Sequence, residues 1–349
     1  MDLSKYIDKG MTGIENMGNT CFLNVCMQIL SHTYELNEFL DSSKFKTQLK
    51  DNDDAVISTE WNDLRKVMWS SNGVVTPSRF VNNVMVIAKR KKRDLFTGFS
   101  QNDMPEFLMF IIDCIHNSVS RSVEMTIKGK IENVMDKNAV ECNKMLKEIY
   151  TKEYSEIYEM FYGISFTEIV SKDHKTQHVF RPESYFMINL QILNGDNVMK
   201  DIYECFDFYT QPEMLENDNA WYNEDTKQKE DVIKQTQFWN FPKILAINFN
   251  RYTPDGMSKI NAHVSYPIND LDLSKYVRGY NKNSFQYELY GVVNHYGNSN
   301  GGHYTVFIKH TNNQWVHFND ERIEMIKDEK ILSSQHAYSL FYRKKNNLL

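Results

Sequence analysis

The chain has no apolar run approaching the length of a membrane span, and its first residues, MDLSKYIDKG, lack the basic start and apolar centre of a secretion signal. It has no surplus of positive charge. With 46 acidic against 40 basic residues the formal net charge is −6, which offers no general attraction to nucleic acid or to an anionic membrane and suits a neutral or basic partner better. It has little cysteine: Cys21, Cys26, Cys114, Cys142 and Cys205 are an odd number without framework spacing, so reduced thiols are expected rather than disulfides. There is no internal repeat and no low-complexity tract. From these absences a reducing compartment, cytoplasmic or nuclear, is expected, and nothing in the sequence sets the oligomeric state.

What is present is enough to fold. Hydrophobic residues make up 41% and aromatics 13% of 349 residues, so a sizeable core can be buried and disorder is not expected. The basic run KRKKR at 89–93 reads as a solvated loop and carries no function.

The pattern changes character about halfway along. Phe22, Cys26, Ile29 and Leu30 recur at helical spacing and predict a helix beginning at or beside Cys21, with Thr20 as its N-cap. A second helix follows GFSQNDMPEFLMFIIDCIH, where Phe107, Ile111, Cys114 and Ile115 repeat the spacing and Pro105 sits in the first turn. Met145, Ile149 and Tyr150 predict one or two further helices between Ser118 and Met160. After Gly163 the stretches SYFMINLQIL, KILAINFNRY, QYELYGVVNHY, HYTVFIKH, QWVHFND and AYSLFYRK read as strands. Helices first and mainly antiparallel sheet second describe an α+β protein.

Position separates the cysteines. Cys26 and Cys114 fall on apolar stripes and read as core. Cys21 sits in the first turn of its helix, where the macrodipole and unpaired backbone N–H groups favour a thiolate. A cysteine nucleophile also needs a base, and the base an orienting partner. Among ten histidines, His303 stands at the start of a strand straight after Gly301 and Gly302, and glycines let a ligand approach the backbone closely. A later strand ends in Asn319 and Asp320, either of which can hold an imidazole through its Nδ1–H.

These residues lie in segments that resemble a known family. GIENMGNTCFLN resembles the cysteine box of the ubiquitin-specific proteases, the cysteine deubiquitinases. YELYGVVNHYGNSNGGHYTVFIKHTNNQWVHFNDERI resembles their histidine box, and GFSQNDMPEFL, FWNFPKILAINFNRY and KINAHVSYPINDLDLSKYV match further blocks in order. The resemblance implies a papain-like α+β fold in a single catalytic domain over 1–349. Its approximate parts would be a helical thumb at 12–116, an extra helical insertion at 117–162, fingers at 163–240 and a palm at 241–349. It implies a thiol-dependent hydrolase that cuts isopeptide or peptide bonds after the terminal glycine of ubiquitin through an acyl-enzyme, with ubiquitin and ubiquitinated proteins as partners and no cofactor.

Carried over position by position, the resemblance makes Cys21 the nucleophile, His303 the general base and Asn319 its orienting residue. Asn16 matches the side-chain donor to the oxyanion and Asp320 the second polar residue of the motif. Gln101, Asp103, Glu106, His295, Gly301, Gly302 and Tyr304 would line the channel for ubiquitin's extended tail. There is one departure. Many family members close a zinc site in the fingers with two CxxC pairs, whereas the corresponding places here hold SKDH at 171–174 and NEDT at 223–226, so no metal is expected. Two alternatives remain beside the main expectation: a protease for a ubiquitin-like modifier, and a catalytically silent ubiquitin-binding module. Heavy use of Asn, Lys, Ile and Tyr fits an AT-rich genome, such as that of a parasite or large virus acting inside a host cell.

Overall fold

The computed structural model describes residues 3–93, 95–98, 100–253, 255–298 and 301–345. The first half is helical: α1 (Cys21–Ser31), α2 (Tyr34–Asp41), α3 (Ser43–Gln48), α4 (Asp53–Ser70), α5 (Ser78–Arg90) and α6 (Met104–Val119), with a short parallel pair, β1 (Thr12–Ile14) and β2 (Gly73–Val75). The expected helix at Cys21 is present, and Pro105 lies in the first turn of α6. The KRKKR run closes α5 and the turn after it, where Arg90 and Lys91 pair with Asp53 and Asp54 at the start of α4.

The 117–162 stretch contains α7 (Val134–Glu153) and α8 (Glu156–Phe161). Strands β3 (Gly163–Ser171) and β4 (Gln177–Tyr185) follow and then β5 (Met187–Gln191), the small hairpin β6 (Leu193–Asn194) and β7 (Asn197–Val198), and helix α9 (Ile202–Tyr209). Next come β8 (Glu213–Leu215), the hairpin β9 (Trp221–Asn223) and β10 (Gln228–Glu230), and β11 (Val232–Asn240). The chain ends with β12 (Ile244–Asn250), β13 (Leu271–Asp272), β14 (Gln286–Asn298), β15 (Gly301–Lys309), β16 (Trp315–Asn319), β17 (Arg322–Met325) and β18 (Ala337–Lys344).

Two main sheets result. The finger sheet has the order β4-β3-β11-β8, and the palm sheet the order β17-β16-β15-β14-β18-β12-β5, with β13 paired to β14. Palm pairing is antiparallel except for β5 beside β12, which is parallel. The single finger span of 163–240 therefore needs revision. The chain leaves the finger sheet at Tyr185, contributes β5 and its packed helix α9 to the palm, and returns to the fingers at Glu213.

Packing decides where the site sits. The thumb helices bury one face of the palm sheet, joining Leu23, Met27 and Leu30 of α1 to Val306, Ile308 and Phe318 of β15 and β16. The other sheet face packs on α9 through Leu245, Ile247, Leu289, Val292 and Phe206. Every residue of α1 is buried, so its polar side chains must bond within the protein. Gln28 donates to Thr12 O at 2.7 Å and Asn24 to Ile14 O at 3.2 Å. A Cβ at Gly291 of β14 would fall hard against Ile29 Cδ1, so a larger residue there would force the Ile29 side chain of α1 to move. A third, small core joins Ala139 and Cys142 of α7 to Ile164, Phe166 and Trp239 of the fingers. That contact gives the 117–162 insertion a structural role the sequence left unassigned: α7 braces the fingers.

Candidate active site

Cys21 opens α1 with a fully helical turn behind it, and it lines a cavity of about 410 Å³ between thumb and palm. Thr20 occupies the N-cap position as expected, but its side chain makes no capping bond. Its hydroxyl accepts from Met17 N at 2.9 Å and reaches Asn16 Oδ1 at 3.3 Å. No side chain therefore caps the first-turn N–H groups of α1, which leaves them directed at whatever lies in front of the sulfur.

His303 comes from the first turn-out of β15, and its Nε2 lies 2.7 Å from Asn319 Oδ1 at the end of β16. The amide oxygen can only accept, so Nε2 carries the hydrogen and Nδ1 remains for Cys21. This corrects the expectation that the orienting bond would use Nδ1–H. The bond with Cys21, followed by that with Asn319 and the nearby charge of Asp320, raises His303 from the usual imidazole range to about 9 against the opposing effect of burial. An imidazolium held beside a sulfur at a helix start is the electrostatic arrangement of an activated thiol.

Asn319 and Asp320 do not divide between two sheet faces as strand alternation predicts. The strand stops at Asn319, and Asp320 adopts a left-handed backbone with φ of 49°. That turn brings its carboxylate back beneath the imidazole, where Oδ2 lies 3.9 Å from His303 Nε2. Two amides hold the carboxylate: Asn16 Nδ2 donates at 2.8 Å and Asn24 Nδ2 at 2.7 Å. Asn16 itself is pinned, because its Oδ1 accepts from Gly18 N at 3.0 Å and Thr20 N at 3.1 Å. Asn24 is a site residue that sequence reading missed. Its only signal was a polar side chain one helical turn after Cys21 on a helix buried all round.

The cavity continues from the sulfur between the two halves of the protein. Gln101, Asp103, His295, Gly301, Gly302 and Tyr304 line it, together with Tyr252 and Tyr338, which no sequence pattern marked. Glu106 does not line it and lies exposed on the first turn of α6, where it complements the helix dipole. Across the cavity the Gln101 side chain bonds the Gly302 backbone twice, accepting from its N–H at 2.6 Å and donating to its carbonyl at 3.0 Å. Asp103 Oδ1 accepts from Tyr304 Oη at 2.9 Å and Tyr338 Oη at 3.1 Å. Burial raises the Asp103 carboxyl against these two bonds.

The finger tips lack the donors of a structural zinc centre. Ser171 Oγ bonds Asp173 at 2.6 Å, while Asn223 Nδ2 and Thr226 Oγ1 both bond Glu230 Oε1, at 2.9 and 2.6 Å. The turns are closed by hard oxygen groups bonded to one another, and this set does not fit a tetrahedral site built from thiolates.

A family model described as ubiquitin carboxyl-terminal hydrolase matches residues 12–342. Ubiquitin carboxyl-terminal hydrolase 2 of Bos taurus is 30% identical over 343 residues, covering 96% of this chain and 55% of the relative. The chain thus spans about half the length of that relative. A probable ubiquitin carboxyl-terminal hydrolase, R319 of Acanthamoeba polyphaga mimivirus, is 26% identical over 422 residues, covering 95% of this chain and 90% of the relative. The fold is similar to that in the structure of the SAGA Ubp8/Sgf11/Sus1/Sgf73 DUB module bound to ubiquitin aldehyde. That match has a TM-score of 0.74 and 24% identity, over 99% of this chain and 72% of the other. With the family model spanning nearly the whole chain, this protein belongs to the ubiquitin carboxyl-terminal hydrolase family, as a catalytic domain of the ubiquitin-specific protease type.

Proposed function

We propose that the chain is a thiol-dependent deubiquitinase that hydrolyses the isopeptide or peptide bond after the C-terminal glycine of ubiquitin. The observation that carries this is the alignment of Cys21, His303 and Asn319, in which the imidazole is bonded to Asn319 at 2.7 Å and raised chiefly by Cys21, at the end of a cavity that runs between thumb and palm. The sulfur of Cys21 attacks the terminal glycine carbonyl, and the carbonyl oxygen becomes an alkoxide facing the uncapped first turn of α1. Asn16 keeps one amide hydrogen beyond the one bonded to Asp320, and it supplies a second donor there. As the intermediate collapses, the C–N bond breaks and His303 gives its proton to the leaving amine. Water then attacks the thioester, His303 takes a proton from it, and the freed carboxylate departs as sulfur regains its resting form.

Asn319 holds the imidazole in one tautomer, and Asp320 supports both His303 and Asn16. A catalytically silent binding module is the weaker reading, since Cys21, His303, Asn319 and Asn16 are all present and mutually placed. The five cysteines are free and buried, which fits work in a reducing cytoplasm or nucleus. The test is exposure to ubiquitin carrying a thiol-reactive C-terminal warhead, with the adduct mapped by mass spectrometry. A single adduct at Cys21 is expected; an adduct at Cys26, or none on folded protein, overturns the reading.

A further inference from the structure

One cation beside the cavity has no part in the chemistry described so far. Lys259 lies on the connection between β12 and β13, bridged to Tyr252 by backbone pairing. Its ammonium donates to His295 O at 2.5 Å and sits 3.1 Å from His295 Nδ1. Among the described residues it makes no ion pair with a carboxylate. Burial, and then the charge of Arg251, lower it to about 8. A desolvated ammonium aimed at a neighbouring imidazole is an arrangement that needs a reason.

The consequence for His295 follows from donor and acceptor counting. An ammonium has three donors and no acceptor, so a nitrogen facing it must present a lone pair. His295 Nδ1 is therefore bare, and the hydrogen of the neutral ring sits on Nε2. Tyr252 Oη lies 3.4 Å from the same Nδ1 and donates instead to Asn298 O at 3.3 Å, which leaves Nδ1 to the lysine. The ring stays neutral because burial, then the charge of Lys259, then that of His303 lower it to about 4. The other groups around it are Tyr304 and Tyr338, whose rings lie 4.6 and 5.6 Å away centroid to centroid. Both of their hydroxyls are committed to Asp103.

Nε2 points the other way, toward Gly302. A Cβ at Gly302 would fall within contact of both His295 Nε2 and Tyr296 O, so only glycine leaves the nitrogen open to the cavity. No hydrogen bond from Nε2 occurs among the described residues. We propose that Lys259 is a positioning residue: it fixes His295 as the Nε2–H tautomer and so aims a polarised N–H past Gly302 at a backbone carbonyl of an extended, glycine-ended substrate tail. This rests on the hydrolase reading above. Lys259 touches no reacting atom and acts only through His295.

The test uses the full chain, labelled with ¹⁵N. Wild-type His295 is expected to show a bare Nδ1 and a protonated Nε2 by long-range proton–nitrogen correlation. Lys259→Met should mix in the Nδ1–H tautomer and move the titration of His295 upward, since a neighbouring positive charge has gone; Lys259→Arg should restore the wild-type pattern. On a fluorogenic ubiquitin substrate Lys259→Met should lose about tenfold or more in kcat/KM. The loss should largely vanish in a His295→Ala background, because the two residues act as one unit. Alkylation of Cys21 by a small iodoacetamide should keep its wild-type rate. An unchanged tautomer in Lys259→Met, or an equal loss in the His295→Ala background, overturns the proposal. Wild-type protein that cleaves no ubiquitin substrate overturns the hydrolase reading instead, and the tautomer measurement still decides what Lys259 does.

Discussion

At the scale of single residues, the site depends on which atom of each group is already occupied. His303 is held protonated to about 9, chiefly by its bond with Cys21. Raising pH through that value removes the proton needed by the leaving amine, so kcat/KM on an amide-linked ubiquitin substrate should hold through neutral pH and fall on the alkaline side near 9. In Cys21→Ala the largest cause of the shift is gone, and the imidazole, followed by NMR, should titrate nearer the ordinary histidine range of about 6.5. An unmoved titration would show that the sulfur does not hold the proton in place. Asp320 and Asn319 make separable contributions although they are adjacent. Asn319→Ala removes the acceptor on Nε2 and should cost turnover by freeing the ring to rotate, whereas Asn319→Asp keeps an acceptor and should retain much of it. Asp320→Ala leaves that bond intact but releases Asn16 and Asn24. Its expected loss is in kcat, on the order of 100-fold, as for one misplaced oxyanion donor. If Asp320→Ala also frees the imidazole, measured by loss of the downfield Nε2–H signal, the division of labour is wrong.

Among the elements, the sequence showed most where a periodic pattern met a local chemical signal. The start of α1 at Cys21, α6 behind Pro105 and the long palm strands were legible because burial of one face repeats at fixed spacing. The left-handed turn at Asp320 was not, since strand alternation gives no notice of where a strand stops. Asn24 was hidden for a related reason: a buried polar side chain is explained only by its partners, and Asp320 lies 296 residues away. The path of the chain through the fingers also escaped the pattern, because β5 reads like any other strand until its parallel pairing with β12 is known. The role of α7 follows from that tertiary level too. Cys142 is 1% exposed beside Phe166, which is 3% exposed and packs at a tilt against Phe180 with centroids 4.6 Å apart. Phe166→Ala should therefore destabilise this local core by about 3–5 kcal/mol. Hydrogen exchange should quicken in β3, β4 and α7 and leave the palm strands protected, while Cys21 alkylation keeps its rate. Uniform loss of protection across the palm would mean that α7 and the fingers are not a separate unit.

For the molecule as a whole, the site sits at the rim of a core: Cys21, Phe22, Tyr304 and Tyr338 belong to the packing between thumb and palm and also line the cavity. One core joins the thumb to the inner face of the palm sheet, and the other lies behind that sheet. Along the seam in front of Cys21 the halves touch through polar bonds: Gln101 to Gly302, and Asp103 to Tyr304 and Tyr338. These leave a passage in which a chain of any thickness must fit beside the Gly302 backbone. Side chains on a passing segment would meet His295, Tyr304 and Gln101, so the passage suits the narrow, glycine-ended tail of the proposed substrate. On that proposal the glycine lining the passage is as necessary as those of the tail. Gly302→Ala would set a methyl group against Tyr296 O and His295 Nε2, narrowing the passage while leaving the His303 bond to Asn319 in place. The expected result is a loss of kcat/KM on ubiquitin substrates on the order of 100-fold, the scale of an ångström-sized misplacement. Iodoacetamide, which needs no tail, should still alkylate Cys21 at close to the wild-type rate. Equal losses toward both reagents would place the damage at the catalytic residues and remove the passage as the source of selectivity. Wild-type turnover of the ubiquitin substrate by Gly302→Ala would show that the tail does not run beside this backbone at all.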